Sequence, residues 1–317
     1  MEKAKKSTKT KKKFLIEAAW ETCNQVGGIY TVIRTKVPAM VEKWGEDYAL
    51  IGPYFPQTAA AEFEAIPLTD DTPIERAVAQ LRAKGLAVHY GYWLITGKPK
   101  IVLFDINCII DQVNDIKGRL WIDHKISTLG AESLVDQTIA LGELIRIFLT
   151  QLADEMKGKM ELVVHFHEWM ASTGLPDLKK QKVKISTVFT THATMLGRYL
   201  AGNVPNFYDV IDTFDWHKEA VHYGIEAQAT FERQAAQKAD VLTTVSDITA
   251  KECQYFLGRV PELILPNGLN IQRFAALHEH QNLHSKYKQN ISEFVMGHFF
   301  QNQPFDLEQT LYLFTSG

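Results

Sequence analysis

The sequence predicts an α/β fold, a parallel sheet with helices on both faces, and three observations carry that prediction. In the second half, apolar runs at Leu162 to Phe166, Ile185 to Thr190, Val241 to Val245 and Leu263 to Leu265 alternate with helical segments, among them Ile225 to Lys238. Such alternation specifies parallel strands joined by crossover helices. Near the start, the apolar run Phe14 to Ala19 is followed by Gly27-Gly28 and a helical stretch through Val32, Ile33, Val37 and Val41, a strand, glycine turn, helix unit. Between the two, Leu141, Leu144, Ile145, Phe148, Leu149 and Leu152 recur at helical spacing, which predicts a helix with one buried face.

The elements follow in order. Met1 to Lys13 holds seven lysines and one glutamate, a net +6 that leaves the remaining residues at −9 within a chain of −3. This segment, 1–13, reads as a disordered, solvated basic tail, without the arginines or amphipathic pattern of a targeting signal. A domain over 14–275 succeeds it. Tyr48 to Gly52 reads as a strand ended by Gly52-Pro53. Pro56 to Lys84 is more polar, a loop with a helix from Pro73 to Lys84. Leu86 to Ile95 and Lys100 to Ile106 read as strands joined by the turn Thr96-Gly97-Lys98-Pro99, with Tyr90, Tyr92 and Trp93 as core or rim aromatics. Ser246 or Asp247 caps the helix after its strand. His278 to Phe300 reads as a long amphipathic connector and Thr310 to Phe314 as a strand. A closing strand with no later helix to cover it suits a parallel sheet badly. The segment 276–317 is therefore read as a connector helix and the first strand of an absent second domain.

Composition narrows the class. With 46% hydrophobic and 22% charged residues the chain has the balance of a globular protein. The acidic remainder carries no footprint for nucleic acid. Cys23, Cys108 and Cys253 form no Cys-x-x-Cys pair, against both a disulfide framework and a structural zinc site, so a reducing cytosol fits. The apolar window Ile139 to Leu149 is broken by Glu143 and Arg146, and no run approaches the roughly 18 uncharged residues of a membrane span.

The candidate site lies where strands end. Val188-Phe189-Thr190-Thr191 runs into a loop carrying His192 and, six residues on, Arg198. Ligands of parallel α/β sheets bind beyond the carboxyl ends of the strands, which puts both groups at the mouth of a crevice. Leu162 to Phe166 likewise ends in His167-Glu168-Trp169. Read alone, His192 is equally a buried, hydrogen-bonded core histidine. His165, His167 and Glu168 contain the His-x-His and carboxylate of a metal site, and on a strand the two imidazoles share a face. No spacing points to a third ligand, and the expectation is no metal. Gly27-Gly28 lets a phosphate approach a helix amino terminus, or is only a tight turn. Pro266-Asn267-Gly268 is a turn signature in its own right.

These words, with Val26-Gly27-Gly28-Ile29-Tyr30 and Pro266-Asn267-Gly268-Leu269-Asn270, closely resemble the eukaryotic-type glycogen synthase family, glycosyltransferase family 3, over nearly the whole chain from Phe14. The resemblance implies the Rossmann-like amino-terminal domain of a GT-B glycosyltransferase. It implies retaining transfer of glucose from UDP-glucose to the non-reducing end of an α-1,4-glucan such as glycogen, in the cytoplasm, with no cofactor and no metal. It assigns His192, through imidazole and main-chain carbonyl, to the transferred glucose, and Glu168 to the catalytic cleft. Arg198 goes to the donor sugar and phosphate, Asn267 to the same sugar, and Gly27 and Gly28 to the donor loop. His167 and Trp169 stand on the acceptor side, Trp169 as a platform or merely a helix anchor. Where the family usually carries a basic residue the chain has Gln25. A neutral hydrogen bond is worth about 1 kcal/mol against about 1.5 to 3 for a charged one, on the order of tenfold in donor affinity. The groups that neutralise the diphosphate, and a pair of glutamates, belong in the family to a carboxyl-terminal domain. On this reading the chain is an amino-terminal half, inactive alone, and the oligomeric state of the intact protein stays open. The rival readings are a non-catalytic glucan-binding module and a metal-dependent hydrolase using His165, His167 and His192.

Overall fold

The computed structural model describes residues 11–268, 279–298 and 313. It contains, in chain order, β1 (Lys12–Ala19), α1 (Gly28–Trp44), β2 (Tyr48–Pro53), α2 (Pro56–Glu62), β3 (Phe63–Ala65), α3 (Pro73–Ala83), β4 (Val88–Trp93), β5 (Lys100–Phe104), α4 (Val113–His124), α5 (Ser133–Met156) and β6 (Met160–His167). There follow α6 (Glu168–Ser172), α7 (Leu175–Lys180), β7 (Ser186–Thr191), α8 (Met195–Asn203), α9 (Trp216–His222), α10 (Glu226–Lys238), β8 (Val241–Thr244), α11 (Asp247–Glu252), β9 (Leu263–Ile264) and α12 (His280–His298).

One nine-stranded sheet runs in the order β3-β4-β5-β2-β1-β6-β7-β8-β9. From β5 to β9 every neighbouring pair is parallel, while β4 is antiparallel to both β3 and β5. The predicted hairpin is the antiparallel corner, and its turn places Gly97 at φ +94, a backbone conformation that glycine adopts without strain. The short strand β3 escaped the sequence reading because three residues give no periodicity.

Side chains alternate across β1. Ile16 and Ala18 join a core with α3 and α5, in which all six residues of the predicted helical stripe are buried. Each such side chain removed from water is worth about 1.5 to 3 kcal/mol. Leu15 and Ala19 point to the other face and pack on Ile33 and Val37 of α1. Helices thus cover both faces, as the alternation predicted. Thr72 and Glu75 form a reciprocal capping box at the start of α3, and Ser246 rather than Asp247 caps α11.

β1 begins at Lys12, so Lys12 and Lys13 pair with Met160 and Glu161 inside the stretch expected as tail. The chain divides into two compact units after Gly268. In the second unit α12 spans most of the expected connector helix. The expected strand over 310–314 lies outside the described residues apart from Leu313. Among the described residues, no helix is long and apolar enough to cross a membrane.

Candidate active site at the strand tips

Strand order fixes where the site lies. From β1 the chain builds outward to β2 and β5, then returns to the opposite side of β1 to lay down β6, β7, β8 and β9. The tips of β1 and β6 therefore flank the switch point, where loops diverge and leave a crevice. The register sets Glu17 opposite His165 and Ala19 opposite His167. Glu17, His165 and His167 thus share one face of the sheet, the face covered by α1.

That face holds a polar cluster. His167 Nδ1 lies 3.3 Å from His192 Nε2. The His165 and His167 rings are 4.0 Å apart between centroids, and His165 Nε2 lies 2.6 Å from Thr190 Oγ1. From α1, Lys36 Nζ sits 2.8 Å from Glu17 Oε2 and 3.4 Å from His167 Nε2. Burial pushes all three imidazoles down, helped for His165 by His167 and for the other two by Lys36; His192 is lowered to about 4. They are neutral at ordinary pH. Glu17, His165 and His167 present ligand atoms within 4.8 Å of one another, which supplies the third metal-ligand type that spacing alone did not reveal. The Lys36 ammonium already stands beside two of those three groups as their cation.

The loop after β7 is held by buried glutamates. The backbone N–H of His192 donates to Glu168 Oε1 at 2.8 Å, the N–H of Thr194 to Glu252 Oε2 at 3.3 Å and the N–H of Met195 to Glu232 Oε2 at 2.9 Å. Three helices, α6, α10 and α11, each lend one carboxylate to this loop. Glu168 itself has φ +62, in the left-handed region that costs a non-glycine residue of order 1 kcal/mol or more. Burial raises Glu168 to about 7, offset by Arg198 and by the backbone N–H groups of His192 and Ala193. Burial also raises Glu232 to about 8, with the charge of Glu168 adding to it. Thr194 caps α8 through its hydroxyl, which accepts from Gly197 N. Arg198, in the first turn of α8 rather than in the loop and with a side chain 56% exposed, stands 3.8 Å from Glu168.

The sequence-predicted residues divide accordingly. Glu168, His192, His167 and Arg198 come together. His167 and Trp169, expected on the acceptor side, are 2% and 4% exposed, and Trp169 is packed in the core beside α5, which fits the anchoring alternative for it. Gly27 and Gly28 do begin a helix, but an internal anion is already there: Glu21 Oε2 accepts from Gly27 N at 2.8 Å and Tyr30 N at 2.9 Å. A side-chain carbon at Gly27 would meet Glu21 at 3.3 Å, whereas Gly28 faces open space. Gln25 is exposed. Asn267 is exposed beyond β9, and Leu269 and Asn270 of the same word lie outside the described residues.

Glu17, Glu21, Lys36, Glu232 and Glu252 were not foreseen. Their signal was a charge set in an apolar stripe: Glu17 inside Phe14 to Ala19, Lys36 between Ile33 and Val37, Glu232 beside Phe231.

The fold is a doubly wound α/β sheet whose switch point gathers neutral imidazoles, a buried acid and an exposed guanidinium at the strand tips, where α/β proteins of this class bind ligands. By sequence the chain belongs to the glycogen synthase family, whose model, described as Glycogen synthase, matches residues 17–317. It is 43% identical over 303 residues to the human liver glycogen [starch] synthase, covering 96% of this chain and 43% of that protein. It is 40% identical over 307 residues to the Neurospora crassa glycogen [starch] synthase, covering 97% and 43%. With the Caenorhabditis elegans glycogen [starch] synthase it shares 40% identity over 315 residues, covering 99% and 47%. The chain spans less than half the length of these relatives.

Proposed function

We propose that the chain supplies the sugar-facing wall of a glycogen synthase active site, one that transfers glucose from UDP-glucose to the non-reducing end of an α-1,4-glucan with retention of configuration. The observation that carries this reading is the fixed loop: His192 held by Glu168 at 2.8 Å, with Arg198 exposed beside them. Transfer of this kind needs positive charge fixed near the departing diphosphate and dipoles set in advance around an electron-poor sugar carbon. Arg198 offers a planar fork that binds oxyanions bidentately. His192 offers a neutral imidazole on a loop whose amides are already bonded inward. No metal is invoked at Glu17, His165 and His167 on this proposal, because the Lys36 ammonium supplies the positive charge beside Glu17 and His167.

The relatives are more than twice as long as the chain, and the remaining catalytic groups are assigned to a second lobe. The isolated 317-residue polypeptide is therefore expected to turn over UDP-glucose negligibly. The test is a chimera in which this chain is joined to the part of the Caenorhabditis elegans relative beyond the matched stretch. Glucosyl transfer to glycogen by the chimera, lost on His192→Ala and on Arg198→Ala, is the expected result. Equal transfer with and without the imidazole would refute the assignment. Glycogen binding by a chimera inert toward UDP-glucose would point instead to a glucan-binding module, the reading that exposed Gln25 and the Glu21-capped helix favour.

A further inference from the structure

His192 has two ring nitrogens in different situations. Nε2 faces His167 Nδ1 at 3.3 Å, whereas Nδ1 is buried and has no hydrogen-bond partner among the described residues. Which nitrogen carries the proton decides whether the ring offers a donor or an acceptor to a ligand. The answer is set two residues away.

Lys36 has only protons to give, and its ammonium lies 3.4 Å from His167 Nε2 in hydrogen-bonding geometry. Glu17 Oε2 is as near to that nitrogen at 3.4 Å, but it is ion-paired with the Lys36 ammonium at 2.8 Å and does not meet hydrogen-bond geometry with the ring. His167 Nε2 is then the acceptor, and a neutral His167 carries its proton on Nδ1. That proton points at His192 Nε2, which must accept it. A neutral His192 is left with its proton on Nδ1.

Resting on the reading of His192 as sugar-facing, we propose that Lys36 is a positioning residue: its ammonium sets the tautomer of His167, and through it that of His192, so that His192 keeps an Nδ1–H donor for an oxygen of the sugar. A buried N–H without a partner costs the free protein stability, and a ligand oxygen that accepts from it recovers that loss. The same strand face then does two jobs. Glu17 holds Lys36, and Lys36 orders two imidazoles that burial, helped by its charge, keeps neutral.

The test is nitrogen NMR on the 317-residue chain labelled with 15N-histidine, without ligand, His192 being assigned by its loss in His192→Asn. The expected spectrum shows a protonated Nδ1 and an unprotonated Nε2 for both His167 and His192. In the charge-balanced variant Glu17→Leu/Lys36→Met both rings are expected to lose this single-tautomer pattern, and Lys36→Arg to keep it. Should the double variant fail to fold by circular dichroism, His167→Phe reports the last link, with His192 expected to become a mixture of tautomers. A His192 proton on Nε2 in the wild-type chain, or an unchanged pattern in the folded variants, would overturn the proposal. Because no sugar nucleotide is present, the result is independent of whether the chain binds UDP-glucose.

Discussion

The backbone nitrogen of His192 donates to Glu168 Oε1 at 2.8 Å across 24 residues of sequence, tying the tip of β6 to the loop after β7. Glu168, expected in the catalytic cleft, fastens the loop that carries His192. Glu168 is 4% exposed, and its strained φ of +62 turns the chain so that the carboxylate points at the neighbouring strand's loop. On the proposed function, an acid in this setting would act on the sugar through the position of His192.

Loss of that tether is expected to separate binding from folding. Glu168→Gln keeps an acceptor for the His192 amide, so thermal stability falls little, while Glu168→Ala leaves buried N–H groups unpaired at a cost of about 1 to 3 kcal/mol. Thermal unfolding of the two variants side by side checks this. Equal melting temperatures would show that the bond carries no load.

The carboxylates and imidazoles give stability a pH dependence whose sign changes. Glu168 and Glu232 rise on folding from 4.5 to about 7 and about 8, so they bind protons more tightly in the native state. Their contribution is complete below about pH 4.5 and is lost as pH climbs through 7 to 8. His192 falls from 6.5 to about 4 on folding, so its contribution is present above pH 6.5 and is lost as pH drops toward 4. Above about pH 7 the imidazoles are mostly neutral in both states and the acids dominate the slope. Urea midpoints are expected to fall between about pH 7 and 8.5, and Glu232→Gln to flatten that fall. A wild-type midpoint constant over this window would contradict the burial of these two acids.

Two glycines should respond in opposite ways. A side-chain carbon at Gly197 would lie 2.2 Å from Glu252 Oε2, so Gly197→Ala must displace the carboxylate that bonds Thr194, and a loss of about 1 to 3 kcal/mol is expected. Gly28 faces open space, and Gly28→Ala is expected to leave the melting temperature within a few degrees. If a donor phosphate approaches the start of α1, the same change weakens UDP-glucose binding. Unchanged binding in Gly28→Ala would remove the glycine loop from the donor site.

Arg198 is exposed and lies 3.8 Å from Glu168, so its removal should cost binding rather than stability. Arg198→Ala is expected to weaken UDP-glucose binding by about tenfold or more, the worth of a charge-assisted hydrogen bond, with Arg198→Lys recovering part of it. A calorimetric titration decides. Unaltered affinity would place the diphosphate elsewhere.

Much of this was legible in the sequence because parallel strands advertise themselves as apolar runs and end in polar words. His192, Arg198, His167 and Glu168 were found that way, since position at a strand tip is a one-dimensional property. Lys36 and Glu17 were not, because they meet only when α1 folds back over β1, and the residues that bring them together are apolar neighbours with nothing to mark them. Trp169 was left open between platform and helix anchor for a related reason: an aromatic just past a strand tip looks the same in sequence whether its helix turns it outward or, as here, into the core beside α5. The metal alternative turned on a third ligand that no spacing could show, and the structure supplies Glu17 and its lysine together.

The most direct test is a titration of the 15N-histidine-labelled chain with UDP-glucose up to millimolar concentration. A sugar nucleotide seated at the tips of β6 and β7 should move the His192 resonances in proportion to occupancy and leave His89 and His217, on other parts of the fold, where they are. Saturating UDP-glucose that moves none of the His192 resonances, or moves them no more than those of His89 and His217, would contradict the account.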